Sequence, residues 1–250
     1  MEKTERQQHR FGLVGRNIAY SFSRGYFKEK FLKMGLKQYR YDNFDLEDIS
    51  QFSELIEENP DLVGLNVTIP YKESIIPYLK VLDPVATAIG AVNTIKIASE
   101  GLLGYNTDAY GFEQALLPFL KPHHRQALIL GTGGASKAVA YVLKKLQIAY
   151  RFVSRKPGSD HLNYEDLDQE TIRTHYLIIN CTPLGTWPET AAKPRIPYDS
   201  LNNKHLLFDL IYNPEKTTFL KEGEKRGSRI SNGGKMLELQ ADKSWEIWNS

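Results

Sequence analysis

The chain reads as an α/β protein of two domains, and three observations predict this. Short apolar runs alternate with longer segments of helical periodicity, the pattern of βαβ units on a mostly parallel sheet. A polar stretch, residues 121–126, separates two such series and marks a hinge. In the second series a glycine-rich turn, residues 131–135, stands between a buried apolar run and a helical segment.

The elements follow in order. Residues 11–14 form a first strand that ends at Gly15. Residues 24–34 form a helix, because Tyr26, Phe27, Phe31, Leu32 and Met34 recur at spacings near three and four. Residues 39–44 alternate as a strand and 46–57 repeat as a helix. Residues 62–67 are a buried strand, and 72–79 are expected to be helical after Pro70. Residues 91–97 and 102–105 flank Ser99, Glu100 and Gly101, which read as a hairpin turn. A long helix starts near Asp108 and stops before Pro122, since the residue preceding a proline is pushed out of the helical region.

Beyond the hinge, residues 127–130 are a strand, 135–146 a helix and 149–153 a strand. Residues 176–179 and 206–210 are two further apolar strands. The mixed-sign run 221–226 reads as a solvated helix face. Residues 236–248 close the chain as an amphipathic helix with Leu237, Leu239, Trp245, Ile247 and Trp248.

Bulk properties exclude several functions. A net charge of +2, with no dense Lys/Arg stripe interleaved with aromatics, argues against a nucleic-acid partner. The single cysteine, Cys181, cannot make an internal disulfide and fits a reducing compartment. His9, His123, His124, His161, His175 and His205 show no metal-ligand spacing, so no metal is expected. Residues 1–10 are polar with no apolar stretch behind them, unlike a signal peptide. No run approaches the ~18 apolar residues of a membrane span. The expectation is a soluble, cytoplasmic protein.

The turn Gly131-Thr132-Gly133-Gly134-Ala135 carries the first chemistry. Glycine permits a tight bend and lets the backbone approach a pyrophosphate, which the N–H groups of the next helix attract. The sixth position of the usual glycine pattern is Ser136, small enough for close helix packing. The next strand end chooses the cofactor. NAD sites usually place an acid about 20 residues on, to bind the ribose 2′-hydroxyl. This chain has Ser154-Arg155-Lys156, and a guanidinium there suits a 2′-phosphate that a carboxylate would repel. NADP is the expected cofactor.

The first half gathers polar residues at strand ends, where open α/β sheets bind their ligands. They are Ser21-Phe22-Ser23, Asn66-Val67-Thr68-Ile69-Pro70-Tyr71-Lys72, Gly90-Ala91-Val92-Asn93-Thr94 and Asn106-Thr107-Asp108. Hydroxyls, amides and one lysine suit a small polyhydroxy acid. Taken singly, Ser21 and Ser23 also read as caps of the following helix, Asn93 as a strand bend and Asp108 as an N-cap.

Together with Asn180-Cys181-Thr182-Pro183, Asp209 to Tyr212 and Pro214, and Gly233, Met236 and Gln240, these motifs resemble the shikimate dehydrogenases from residue 11 to 248. The resemblance implies NADP-dependent, reversible reduction of 3-dehydroshikimate to shikimate in a monomer or homodimer. It implies that Ser21 and Ser23, with Tyr212, bind the substrate carboxylate, and that Thr68, Asn93, Asp108 and Gln240 bind its hydroxyls. Lys72 and Asp108 would be the catalytic pair, Lys72 giving the proton to the carbonyl oxygen. Gly131, Thr132, Gly133, Gly134 and Ala135 would hold the pyrophosphate, and Ser154, Arg155 and Lys156 the 2′-phosphate. Leu210 and Gly233 would lie near the nicotinamide.

The closing helix carries Gln240, so it is expected to return to the first domain. The expected domains are then residues 1–107 with 236–250, for substrate, and a Rossmann-type domain at 108–235. The chain departs from the family's usual Asn-Arg-Thr at 154–156, from its Gly-Leu-Gly-Met at 233–236, where Lys235 is unusual, and from a cofactor-associated acid at Pro84. Two other readings stand beside this one: a quinate/shikimate enzyme using NAD as well as NADP, and a non-catalytic dinucleotide-binding regulator.

Overall fold

The computed structural model describes residues 9–19, 21–155 and 161–250. The chain divides into two compact α/β units, Met1–Thr107 with Ala241–Ser250, and Asp108–Gln240.

The first unit starts with β1 (His9–Gly15), α1 (Phe22–Lys33), β2 (Tyr39–Asp45), α2 (Phe52–Glu58) and β3 (Leu62–Val67). It continues through β4 (Val81–Leu82), α3 (Pro84–Ile89), β5 (Thr94–Ala98) and β6 (Gly101–Tyr105). Its sheet runs β2-β1-β3-β5-β6-β4. β1 pairs parallel with β2 and β3, whereas β5 is antiparallel to both β3 and β6.

The helix expected over 72–79 is absent. Turns lead instead to a 3-10 turn at Ile76–Tyr78 and the short β4. Pro77 is the cause, because it lacks an N–H and keeps the residue before it from continuing a helix. α3, not anticipated, is short but well bounded. Asp83 Oδ1 accepts the Ala86 N–H at 2.7 Å, Pro84 opens the helix, and Gly90 closes it at φ 69°. β5 begins at Thr94 and not at 91; the Val92 N–H goes to the Lys72 carbonyl and not to a strand.

α4 (Thr107–Leu116) leaves the first unit for the second. There β7 (Gln126–Leu130), α5 (Gly134–Lys145), β8 (Ala149–Ser154) and β9 (His161–Asn163) lead to α6 (Gln169–Thr174) and β10 (Leu177–Asn180). β11 (Leu206–Asp209), α7 (Thr218–Glu224), β12 (Arg229–Ser231) and α8 (Gly234–Trp248) follow. The sheet is parallel throughout in the order β12-β11-β10-β7-β8-β9. Leu128, Ile129, Leu130, Ile178 and Leu207 are fully buried, as central parallel strands covered on both faces require. The strand order reverses between β7 and β10, which makes their carboxyl ends the switch point of a Rossmann sheet.

α8 ends in the first unit. Trp248 lies 4.8 Å from Phe11 and 5.3 Å from Phe27 between ring centroids, and its indole N–H donates to the Ile95 carbonyl at 2.9 Å. Gly64 is there because any Cβ would run into that indole. Asp242 accepts from Tyr26 Oη at 2.7 Å and pairs with Lys30 at 2.5 Å, fixing the same helix to α1. The closing helix therefore packs back on the first unit.

Candidate active site

In the first unit hydrogen bonds link several of the polar strand ends. Ser21 caps α1, its Oγ accepting the Ser23 N–H at 3.2 Å. Ser23 is buried and reaches the Tyr41 phenol; burial pushes that phenol well up, and the Ser23 hydrogen bond pulls it back down. Tyr41 Oη in turn donates to Asn66 Oδ1 at 2.8 Å. Thr68 follows β3, with its N–H on the Val14 carbonyl at 2.9 Å. Half-buried Lys72 follows the turn; its carbonyl accepts the Val92 N–H at 2.7 Å, so its backbone sits one residue from Asn93.

Asn93 is 2% exposed and holds Thr107. Its Oδ1 accepts the Thr107 backbone N–H at 2.7 Å and its Nδ2 donates to the Thr107 hydroxyl at 3.0 Å. Around this pair lies a buried group that sequence reasoning missed as a unit. Ser244 Oγ lies 2.8 Å from Thr94 Oγ1 and 3.2 Å from Thr107 Oγ1, and it accepts from Asn66 Nδ2 at 2.9 Å. The Ser244 hydroxyl joins α8 to β3, β5 and the start of α4. Each of these groups would cost a few kcal/mol if buried without partners, so the network fixes where these elements start and end.

Asp108 and Gln240 belong to the second unit, the first on α4 directly after Thr107 and the second on α8. Both are buried. A Cβ on Gly111, one turn after Asp108, would lie 2.6 Å from the Met236 carbonyl and 3.0 Å from Gln240 Cβ. That close approach sets the two helices against each other. Tyr212 is exposed, after β11.

The glycine turn has the geometry that a phosphate cradle needs. Gly131 adopts φ 102°, which other residues rarely adopt, and Gly133 caps α5 with no side-chain hydrogen bond. No side-chain oxygen caps the first turn, whose Ser136 N–H goes to the Gly133 carbonyl at 2.9 Å, and the turn forms a positive helix end. Thr132 and Gly133 are exposed, Gly134 and Ala135 half-buried. Ser136 is buried, its Oγ donating to the Gly133 carbonyl at 2.6 Å. Half-buried Ser154 ends β8 and exposed Arg155 follows; Lys156 lies outside the described residues. Arg155 is near enough to oppose the rise of the half-buried Tyr164 phenol, which desolvation pushes up to about 12.

Leu210 donates its N–H to the Asn180 carbonyl at 3.0 Å. Its own carbonyl lies against Gly233, where any Cβ would collide, so Leu210 and Gly233 share one corner. Among the described residues no group of three or more His, Cys, Asp or Glu side chains is placed to hold a metal. No described helix is long and apolar enough to cross a membrane.

A parallel Rossmann sheet, a glycine turn at its switch point and a cation after β8 define a dinucleotide-binding protein. With its second, polar-lined α/β unit it is built as a two-domain dehydrogenase. Residues 13–95 match the family model of the shikimate dehydrogenase substrate binding domain. The chain is 37% identical to a shikimate dehydrogenase (NADP(+)) of Methanococcus maripaludis, covering 95% of this chain and 90% of the relative. It is 34% identical to one from Clostridium botulinum, covering 95% of each. A crystal structure of the Thermus thermophilus enzyme in complex with NADP(H) and shikimate is 30% identical and superposes with a TM-score of 0.85, over 96% of this chain and 93% of that one. The chain belongs to the shikimate dehydrogenase family.

Proposed function

We propose that the protein is an NADP-dependent shikimate dehydrogenase, an oxidoreductase that interconverts 3-dehydroshikimate and shikimate. The family membership supports the reaction. The observation that carries the cofactor is the pairing of an uncapped glycine turn, with Gly131 at φ 102°, and Arg155 after β8 where no acid stands. The turn 131–135 takes the pyrophosphate, and Ser154, Arg155 and Lys156 take the 2′-phosphate. When bound, NADPH supplies the hydride.

This chain's residues position the substrate and move the proton. Ser21, Ser23 and Tyr212 bind the substrate carboxylate; Thr68, Asn93, Asp108 and Gln240 bind its hydroxyls. Lys72 donates a proton to the carbonyl oxygen and stabilises the developing alkoxide, while Asp108 orients the ammonium and the reacting hydroxyl. Leu210 and Gly233 shape the nicotinamide end. The first unit is thus the substrate domain and the second the cofactor domain, in a protein that works in the cytoplasm.

The deciding experiment is a steady-state comparison of shikimate with quinate, each with NADP⁺ and NAD⁺. Turnover greatest with shikimate and NADP⁺ is the expected result. Equal or better turnover with quinate or NAD⁺ would make it a dual-specificity enzyme. NADPH binding with no turnover of 3-dehydroshikimate would make it a regulator.

A further inference from the structure

Two fully buried polar side chains sit side by side at the carboxyl end of the Rossmann sheet and have no part in the chemistry above. We infer that Asn180 and Asp209 are positioning residues for the cofactor: together they set the backbone of the loops after β10 and β11, and so the placing of Leu210. The inference rests on the dehydrogenase reading of the second unit.

Asn180 and Asp209 end neighbouring strands and are partners in register. Both are 0% exposed, and each holds a different loop. Asp209 Oδ1 accepts from Asn180 Nδ2 at 3.0 Å and from the Ile211 backbone N–H at 3.1 Å. Its Oδ2 accepts from the Thr217 hydroxyl at 2.6 Å, and Thr217 caps α7. Asn180 Oδ1 faces the other way, accepting the Thr182 N–H at 3.0 Å and the Thr182 hydroxyl at 2.7 Å. One amide and one carboxylate thereby fix the first residues of both loops.

Those loops meet the dinucleotide surface on two sides. A Cβ added to Gly131 would stand 3.1 Å from Thr182 Cγ2 and 3.4 Å from the Cys181 carbonyl, so the loop after β10 lies against the phosphate turn. Leu210 is held between fixed points: its N–H is on the Asn180 carbonyl, and the next residue, Ile211, gives its N–H to Asp209 and takes that of Gly233 at 3.0 Å. Shifting Asp209 would therefore move the Leu210–Gly233 corner.

Stability alone does not account for the pair. The strand residues beside them, Ile179 and Phe208, are apolar and fully buried, and similar residues could fill the sheet end. A buried carboxylate carries a desolvation cost that apolar packing avoids. Burial accordingly pushes Asp209 up to about 6, against the pull of its three hydrogen bonds. Directed hydrogen bonds fix loop backbone in a way that apolar contacts cannot.

The test uses the full chain with Asp209→Ala, Asp209→Asn and Asn180→Ala. In Asp209→Asn the amide oxygen can accept from Asn180 and Ile211, while the NH₂ group donates to a Thr217 hydroxyl that reverses. Asp209→Ala and Asn180→Ala should lower kcat about tenfold to a hundredfold, the scale of a small misplacement of reacting groups. NADPH affinity should change less than about threefold, because Arg155 is untouched, a charged contact alone being worth tenfold or more. Asp209→Asn should restore kcat to within about threefold. The double alanine variant should be no slower than the worse single one, as for two members of one unit.

Wild-type kcat in both alanine variants, whatever their melting temperatures, would overturn the inference. So would an Asp209→Asn variant as slow as Asp209→Ala. If Asp209→Ala does not fold, Asn180→Ala and Asp209→Asn decide on the same terms. The fluorescence of bound NADPH separates this from the functional reading. A changed emission in Asn180→Ala, absent in Asp209→Asn, supports positioning even if the unmodified protein turns over no shikimate, whereas unchanged emission with unchanged kcat counts against it.

Discussion

Asn93 grips Thr107 at two points, taking its backbone N–H on Oδ1 and giving a hydrogen bond to its hydroxyl through Nδ2. A side chain that the resemblance assigns to substrate binding fixes the first turn of the helix that carries Asp108. Asn93→Ala should therefore destabilise the protein before any ligand is added, by about 1–3 kcal/mol for the buried groups left without partners. Thermal melts of the ligand-free protein check this. A melting temperature unchanged by the substitution would show that the Asn93–Thr107 contacts do not stabilise the fold.

Lys72→Ala separates chemistry from binding. If Lys72 is the proton donor, kcat should fall by about 10²–10⁴, the usual worth of a positioned acid. KM for shikimate should move little, since Ser21, Ser23 and Tyr212 remain. Activity within tenfold of wild type would show that another group delivers the proton.

Arg155→Ala should raise KM for NADP⁺ about tenfold to a hundredfold, the worth of a charge-assisted hydrogen bond of roughly 1.5–3 kcal/mol. KM for NAD⁺, which has no 2′-phosphate, should stay the same. Equal losses with both cofactors would place Arg155 elsewhere than on that phosphate.

Three buried histidines, His124, His175 and His205, give the second unit an acid limit, and the first and last of them share one hydrogen-bond pattern. His124 Nδ1 accepts the Lys121 N–H at 3.0 Å and its Nε2 reaches the Lys204 carbonyl; His205 repeats the pattern with Asn202 and, at 2.9 Å, with Ile172. Each ring therefore sits as the neutral form, and burial depresses its pKa below the ordinary 6.5. The unfolded chain takes up protons first as pH falls below about 6.5, so this stability is present above that value and is lost through the depressed folded values. Melting temperature should drop between pH 7.5 and pH 5. His124→Gln with His205→Gln should flatten that slope, and an unchanged slope would clear both rings.

The phosphate turn was legible because its signals are local: a buried apolar run, glycines and a helix in one stretch of twenty residues or so. Other features failed for equally physical reasons. Apolar spacing over 72–79 imitated a helix that Pro77 forbids, while α3 had its cap, proline and closing glycine in view but only six residues of helix. The three-residue strands β9 and β12 are too short to show a period. Ser244 could not be found from sequence, because its partners Thr94 and Asn66 lie 150 and 178 positions away. Asn180 and Asp209 each stand within a family motif, but nothing in the letters says that two side chains on adjacent strands turn toward each other.

The first unit is completed by residues 241–250, which hold Trp248 and Ser244 against its strands. On the ribosome those residues emerge after the whole of the second unit has been made. Of the two units, the one whose synthesis starts earlier is thus the one completed later. A nascent chain arrested at residue 240 would hold every residue of the second unit while the first still lacked the indole beside Gly64, so emergence of residues 241–250 becomes the step that closes it.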